Sequence, residues 1–414
     1  MKKICLSVVG MFLLLVAAQA QFESKDTTEY RSETLKLEEA NLVSGYYKQD
    51  GNHSAVTGGI GTQHLTDISN VIELKFVKWN NATNNKYSLD IEAGIDHHTS
   101  ASQAYVSKTG ASRPYGTRIY PSVNWSVEKP NKLTLGAGLS FSNEYNYHSF
   151  GGNVLLGKTS KDDNTSINFK GQVFLDKVTM LEPSELIPGN TNDNVTTYTT
   201  ASGRVISSGG HGNNIPKTSR NTYDASLTLT HVVNKNMQVA LLTDVVAQNG
   251  FLGLPFHRVY FNYPLKDSAR IENLPSTRVK LPVGLRLNYF LGDKVILRTY
   301  YRYYSDSWGI KSHTASLEIP YKFSPYVSAA PFYRFYTQTA ADYFAPYKAH
   351  LTSDKYYTSN YDLAAFSANF VGFNFRFTPP KGVYLFDMIE LRYGHYVQTT
   401  GLHGDNVGIN IRFK

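Results

Sequence analysis

The chain has 414 residues, a formal net charge of +8, and 30 Tyr and 22 Phe against only 5 Met and 3 Trp. A basic total suits nucleic acid, but the Arg and Lys residues are spread singly rather than in runs, so no nucleic-acid partner is expected. Cys5 is the only cysteine and lies in a segment expected to be removed, which excludes disulfides and thiolate metal sites from the mature chain.

The N-terminus carries Lys2 and Lys3, then an apolar run over 4–17, then Ala18-Gln19-Ala20. That order predicts a signal peptide over 1–20, cut after Ala20. Cys5 precedes the apolar core, so it is not the acylated cysteine of a lipoprotein signal. Residues 21–40 are polar and charged and read as a periplasmic lead-in. No later stretch approaches the roughly 18 apolar residues of a spanning helix, and mean hydropathy is −0.32. Spanning strands are invisible to such an average, because only alternate residues meet lipid.

Alternation organises the rest of the chain. Val279, Leu281, Val283, Leu285, Leu287 and Tyr289 share one parity, with Lys280, Gly284, Arg286 and Asn288 on the other. Val407, Ile409, Ile411 and Phe413 repeat the pattern near the end. Successive side chains of a strand point to opposite faces, so each segment has one greasy and one polar face. In chain order the predicted strands are 41–48, 68–79, 87–98, 117–127, 132–144, 148–158, 166–178, 222–233, 237–248, 277–290, 294–306, 312–323, 326–338, 364–377, 384–397 and 403–413. The short turns 129–131, 234–236, 292–293 and 379–382 alternate with long connections near 100–116, 180–221, 249–276 and 339–362.

The expected fold is therefore all-β: a closed antiparallel transmembrane β-barrel of about sixteen strands over 41–414. Its short turns should be periplasmic and its long loops extracellular, in the outer membrane of a Gram-negative bacterium. The lipid face should include Leu89, Ile91, Leu135, Leu139, Leu227, Leu229, Leu241, Leu285, Leu297, Leu317, Phe373, Leu391 and Ile409. The long segment 180–221, rich in Gly, Asn, Ser and Thr, should carry no strand over 191–215 and either cover the mouth or stay irregular. The number of subunits is left open.

With the apolar parity on lipid, the polar parity carries Arg286, Arg298, Arg302, Arg334, Arg376, Arg392 and Arg412 into the lumen from the C-terminal half. The N-terminal half points Glu73, Asp90, Glu92, Asp96 and Asp176 inward, with Lys75 and Lys170 among them. A basic wall facing a largely acidic one would order charged solutes by its transverse field. The competing expectation is that these charges pair across a filled lumen and only hold its shape.

Most of the 12 histidines map to outer loops or outer strand ends, which raises metal capture as a possibility, with His97, His98 and His403 as candidates. Against it, His97 and His98 are adjacent on one strand and would point to opposite faces. Asp96-His97-His98 and His403-Gly404-Asp405 pair acids with imidazoles at the outer rim, as general-base chemistry would need, but adjacency does not aim one at the other. No Gly-x-Ser-x-Gly elbow, His-Glu-x-x-His or P-loop occurs in the chain, and no cofactor is expected. Gly58-Gly59-Ile60-Gly61 fails the dinucleotide spacing and reads as a flexible outer turn.

The stretch His53-Ser54-Ala55-Val56-Thr57-Gly58-Gly59-Ile60-Gly61-Thr62, followed by Leu65-Thr66-Asp67, resembles the opening motif of an uncharacterised, domain-of-unknown-function family of Gram-negative outer-membrane barrels. Asp96-His97-His98-Thr99-Ser100-Ala101-Ser102 resembles a second motif of that family. The resemblance implies an outer-membrane barrel over most of the mature chain and supplies no catalytic residues. The expected function is a passive channel or binding barrel whose partners are lipid and a small, preferentially anionic solute. The rivals are a surface enzyme at the outer rim, a metal-capture barrel and a structural member of an envelope assembly. Selectivity is expected at the outer mouth, where the loops gather.

Overall fold

The computed structural model describes residues 32–99, 115–179, 195–199, 205–209, 217–262 and 269–413, so the signal peptide and most of the lead-in lie outside the described residues. Sixteen antiparallel strands form the wall. They are β1 (Lys36–Asp50), β2 (Leu65–Asn80), β3 (Asn85–Thr99), β4 (Tyr115–Glu128), β5 (Leu133–Glu144), β6 (Tyr147–Thr159), β7 (Thr165–Thr179) and β8 (Lys217–Asn234). The second half comprises β9 (Met237–Gly250), β10 (Thr277–Leu291), β11 (Val295–Asp306), β12 (Lys311–Glu318, resuming at Tyr321–Ser324), β13 (Val327–Gln338), β14 (Phe366–Phe377), β15 (Phe386–Gln398) and β16 (His403–Phe413). Each strand pairs with its chain neighbours, and β1 also pairs with β16 from Ala40↔Phe413 to Asp50↔His403. That seam closes the sheet and removes both edges.

Two strands depart from expectation. β1 starts at Lys36, inside the segment expected as a lead-in, because Lys36 to Ala40 still find partners in Val77 to Leu74 of β2. β12 breaks at Ile319 and Pro320, since proline has no N–H to give the ladder; the Pro320 carbonyl still accepts from Ile296 N at 3.0 Å.

The barrel is inside-out relative to a soluble sandwich. Leu139 is 59% exposed on the outer face, Leu285 52% and Phe373 52%, and Leu135, Leu227, Leu229, Leu241, Leu317 and Leu391 join them. Those side chains face lipid, where a charge at the midplane would cost about 2–4 kcal/mol. The protein is thus an outer-membrane β-barrel whose greasy parity points outward, as the alternation requires.

All connections at the end where β1 begins and β16 ends are short, and the long ones gather at the other, outer, end. The outer loops have structure of their own. A two-stranded ladder pairs Val195–Thr199 with Val205–Gly209, so the expectation that no strand lies within 191–215 is corrected, although this ladder is separate from the wall. A second ladder pairs Arg258–Tyr260 with Ala269–Ile271. Compact apolar clusters form outside the wall sheet, around Leu274, Trp308, Ile310 and Ala341 and around Val259, Phe261 and Tyr357.

Candidate functional site

Inward-facing charge is arranged differently on the two halves of the wall. On the N-terminal side, Arg118 reaches Asp96 at 2.9 Å, and Lys75 reaches Glu38 at 3.2 Å. Asp96 also accepts from Tyr120 at 2.8 Å, and buried Asp176 accepts from the Tyr147 hydroxyl. Asp90 lies opposite Lys75 in the ladder, and Glu73 opposite Glu92. Glu73, Asp90, Glu92, Glu39 and Lys75 surround a cavity of about 240 Å³ in the periplasmic half.

On the C-terminal side, Arg298 is held by Glu318 at 2.8 Å and Arg412 by Asp387 at 2.7 Å. Arg286, Arg302, Arg334, Arg376 and Arg392 form no ion pair among the described residues. No arginine of this wall pairs with Glu73, Asp90, Glu92, Asp96 or Asp176 across the lumen. Arg302 and Arg392 each lie close enough to Arg334 to act on it electrostatically. Three like charges gathered without a carboxylate are costly unless solvent or an anion shares the space.

Aromatic rings hold these guanidinium groups. Arg392 lies over Phe332 at 4.4 Å and Arg334 over Phe370 at 5.7 Å. The two phenyl rings are themselves 5.1 Å apart. Gly372 and Gly394 make this possible: a Cβ on Gly372 would stand 2.6 Å from Phe332 Cζ, and one on Gly394 2.4 Å from Phe370 Cζ. The missing side chains let the rings lie flat against the wall and leave the guanidinium faces toward the lumen.

Above this shelf, in the outer half of the lumen, is a cavity of about 350 Å³ lined by Tyr47, Arg302, Thr314, Arg334, Tyr336, Ala368, Phe370, Tyr396 and Asn406. Arg302 Nε and Thr314 Oγ1 are buried there with no hydrogen-bond partner among the described residues. Three of its tyrosines share a local construction. Tyr47 donates to Gln49 Oε1 at 2.9 Å, Tyr336 to Gln338 at 2.6 Å and Tyr396 to Gln398 at 3.2 Å. Residues i and i+2 of a strand lie on one face, so Tyr-x-Gln at a strand end stacks the pair along the lumen wall.

The glutamines then tie down the loops. Gln49 Nε2 donates to Gln63 O at 3.0 Å, and Gln338 Nε2 to Asp362 O at 3.0 Å and Ala364 O at 2.6 Å. The segments 51–64, 251–262, 269–276 and 339–365 fold together as a cap over the cavity. Arg258, 1% exposed, donates through Nη1 to Val56 O; Ser359 N donates to His257 Nε2 at 3.1 Å. Tyr357 and Asn273 exchange two backbone bonds, and His53 stacks on Tyr361 at 3.6 Å. Arg220 of β8 donates to Phe251 O at 3.0 Å and anchors the second loop to the wall. Asp362, enclosed by the mouth yet in contact with solvent, acts electrostatically on Tyr47 and Tyr396, which places the underside of the cap at the cavity.

The cap is ionisable at its centre. A backbone N–H points at His257 Nε2, which therefore must offer a lone pair, and burial pushes this imidazole down to about 4. Burial pushes the Glu272 carboxyl up to about 7, against the opposing effect of the Leu254 N–H it accepts at 2.6 Å. His350 has both ring nitrogens facing acceptors, Thr358 O at 2.9 Å and Asp354 Oδ2 at 3.2 Å.

The expectation of a flexible turn at Gly58-Gly59 is corrected. Both glycines are buried with φ of +79° and +88°, and a Cβ on Gly59 would stand 2.6 Å from Ser359 O. The turn is the clasp between loops. The histidine candidates do not converge. His97 takes the outer parity beside Thr117, and His98 takes the inner parity and meets Glu144 at 2.9 Å. His403 sits at the β15–β16 turn against Gly401 O, and Asp405 is taken by His395 at 2.9 Å. No group of three potential metal-binding side chains occurs among the described residues. Asp96 serves Arg118 rather than either neighbouring histidine.

The sequence matches the family described as "Protein of unknown function (DUF3570)" over residues 11–408. The chain belongs to the DUF3570 family. No curated protein matches it. Among solved structures, it is similar to a TodX monoaromatic hydrocarbon channel mutant, with a TM-score of 0.39 and 8% identity over 91% of this chain and 89% of that one. It is similar to CdiB from Acinetobacter baumannii at 0.43 and 8% identity, covering 92% and 66%, and to OprD from Pseudomonas aeruginosa at 0.37 and 9%, covering 94% and 95%. Likenesses this distant say nothing of the solute. In this DUF3570 barrel the first motif, His53 to Thr62, builds the cap, and the second supplies the Asp96–Arg118 and His98–Glu144 pairs.

The cap and the Tyr-x-Gln pairs were not foreseen. The pairs had a signal, since Tyr-Lys-Gln, Tyr-Thr-Gln and Tyr-Val-Gln each close a strand before an outer connection. The cap had little, because His257, Arg258 and Glu272 follow no period and their burial depends on two distant loops.

Proposed function

We propose that this protein is a passive channel or binding barrel for small solutes, and that the arginines of its C-terminal wall favour anions. The supporting observation is the group Arg302, Arg334 and Arg392, gathered around Arg334 without carboxylate partners among the described residues, beside an aromatic-lined cavity in the outer half of the lumen. Low-dielectric walls focus the field of such a group, so an anion entering from outside is attracted before it meets the periplasmic carboxylates. Arg286 and Arg376 continue the charge toward the periplasm along β10 and β14.

The test is single-channel recording of the purified full-length barrel in a salt gradient. The wild type should pass chloride over potassium, and Arg302→Glu with Arg334→Glu should move the reversal potential toward cations. Arg298→Glu is a weak probe of this idea, because it removes a charge already held by Glu318. A wild type with an ohmic but cation-preferring conductance, unchanged by the double substitution, would refute the arginine wall as selector. A surface-enzyme reading gains no support from the rim geometry, since Asp96 and Asp405 are committed to Arg118 and His395.

A further inference from the structure

The chemistry of the cavity beneath the cap is more specific than positive charge. It combines two guanidinium groups, Arg302 and Arg334, with the rings of Tyr47, Tyr336, Phe370 and Tyr396, in about 350 Å³. That volume is at the small end of sites that enclose a single small molecule.

The hydroxyls decide what kind of molecule. A polyol site needs side chains free to donate and accept around the ring of the ligand. Here the Tyr47, Tyr336 and Tyr396 protons are already given to Gln49, Gln338 and Gln398, at 2.9, 2.6 and 3.2 Å. What the tyrosines turn to the cavity is therefore ring surface, and Phe370 adds more. The buried polar atoms without a partner among the described residues lie together on one side, Arg302 Nε and the hydroxyl of Thr314, which is 6% exposed; Asn406 adds one amide to the lining. Arg302 and Thr314 lie opposite one another in the β11–β12 ladder. One end of the cavity thus asks for an acceptor with negative charge, and the rest for a flat apolar body.

We infer that the cavity is a binding site for a small aromatic anion, an aromatic carboxylate being the simplest, with its charged group at Arg302, Thr314 and Arg334 and its ring among Tyr336, Phe370 and Tyr396. This rests on the anion-selective reading above and narrows it. The carboxylate would accept from Arg302 Nε–H and Thr314 Oγ1–H, supplying the partners these groups lack among the described residues. Its ring would stack on walls that the Tyr-x-Gln bonds hold in place, which lowers the ordering cost of binding.

The experiment uses the full-length barrel in a planar bilayer, with benzoate, acetate and benzyl alcohol added from the outer side and binding read as current interruptions. Benzoate should bind about tenfold more tightly than acetate, the size expected for ring contacts beside a guanidinium group, and more tightly than uncharged benzyl alcohol. Phe370→Leu should reduce the benzoate-to-acetate ratio severalfold. Arg302→Gln should erase the benzoate-to-benzyl-alcohol ratio. Heat-modifiable gel mobility shows which variants form the barrel, and Tyr336→Leu replaces Phe370→Leu if that variant does not. Equal binding of benzoate and acetate with chloride preference intact would overturn the aromatic site and leave the anion channel standing. Equal binding of benzoate and benzyl alcohol would overturn the charged end of the site, and loss of chloride preference in the wild type would overturn the reading beneath both.

Discussion

On the N-terminal wall, opposite signs are interleaved: Lys75 lies between Glu38 and Asp90, and Arg118 clamps Asp96. On the C-terminal wall, five inward arginines go without such partners among the described residues, although Arg298 and Arg412 show that the same strands can supply them. A wall whose charges served only to hold the lumen in shape would pair them, because pairing removes the cost of inward charge. The first wall mixes both signs, though Glu73 still faces Glu92, whereas the second gathers arginines alone, and the proposed anion selectivity rests on that difference.

The strongest way to break this comparison is to neutralise three residues together. Arg302→Gln, Arg334→Gln and Arg392→Gln should bring the anion-to-cation permeability ratio from about tenfold to near one, by the electrostatic focusing argument. Neutralising Glu73, Asp90 and Glu92 should change the same ratio by only about twofold, because they lie in the periplasmic half, past the arginines that an anion entering from outside meets first. Equal effects from both walls would show that the difference has no functional weight.

The cap tests whether selection belongs to the wall or to the loops above it. Gly59→Val forces a β-branched residue into φ +88° against Ser359 O, at a cost of about 1–3 kcal/mol to the local fold. Conductance should rise and become noisier while the chloride preference stays. If the preference disappears with the cap, the loops are the selector and the arginines are secondary.

A smaller effect should appear with pH. Glu272 is raised to about 7, so its burial favours the folded cap at low pH and loses that advantage as pH rises from the usual carboxylate range through 7. His257 is lowered to about 4, so its burial is tolerated at neutral pH and costs stability as pH falls from the usual imidazole range through 4. Between those limits the two slopes oppose, and the wild-type cap should vary little. Hydrogen exchange of the loop amides should show Glu272→Gln gaining protection as pH rises through this window, and His257→Gln losing it. Slopes of the same sign in both variants would refute the compensation.

The smallest effect is expected from deleting 191–215. The ladder of Val195–Thr199 with Val205–Gly209 is separate from the wall sheet, so heat-modifiable mobility should be unchanged and only gating altered.

How much of this was legible follows from the period of each part. The wall obeys a period of two, so Leu285 against Arg286 was enough to assign faces, and sixteen predicted segments meet sixteen strands. Inward placement could be read for Arg298 and Arg302 alike, but not that the first has Glu318 beside it, because register between strands is not written in either one. The cap lay beyond such reasoning. His257 meets Ser359 across 102 residues, and Arg258 meets Val56 across 202, through loops whose composition says only that they are polar.

The Tyr-x-Gln pairs have a consequence for how loading and closure speak to each other. In each, the ring that borders the cavity is one hydrogen bond from the amide, and for Gln49 and Gln338 that amide holds a loop of the cap. A solute that fixes Tyr336 fixes Gln338, and through it the backbone at Asp362 and Ala364. By linkage the effect is reciprocal: whatever factor a bound solute adds to the closed population, closure adds to the affinity for that solute. On the site proposed above, the mouth and the cavity would be two ends of one equilibrium, and a solute would be held longest by the state of the barrel it helps to shut.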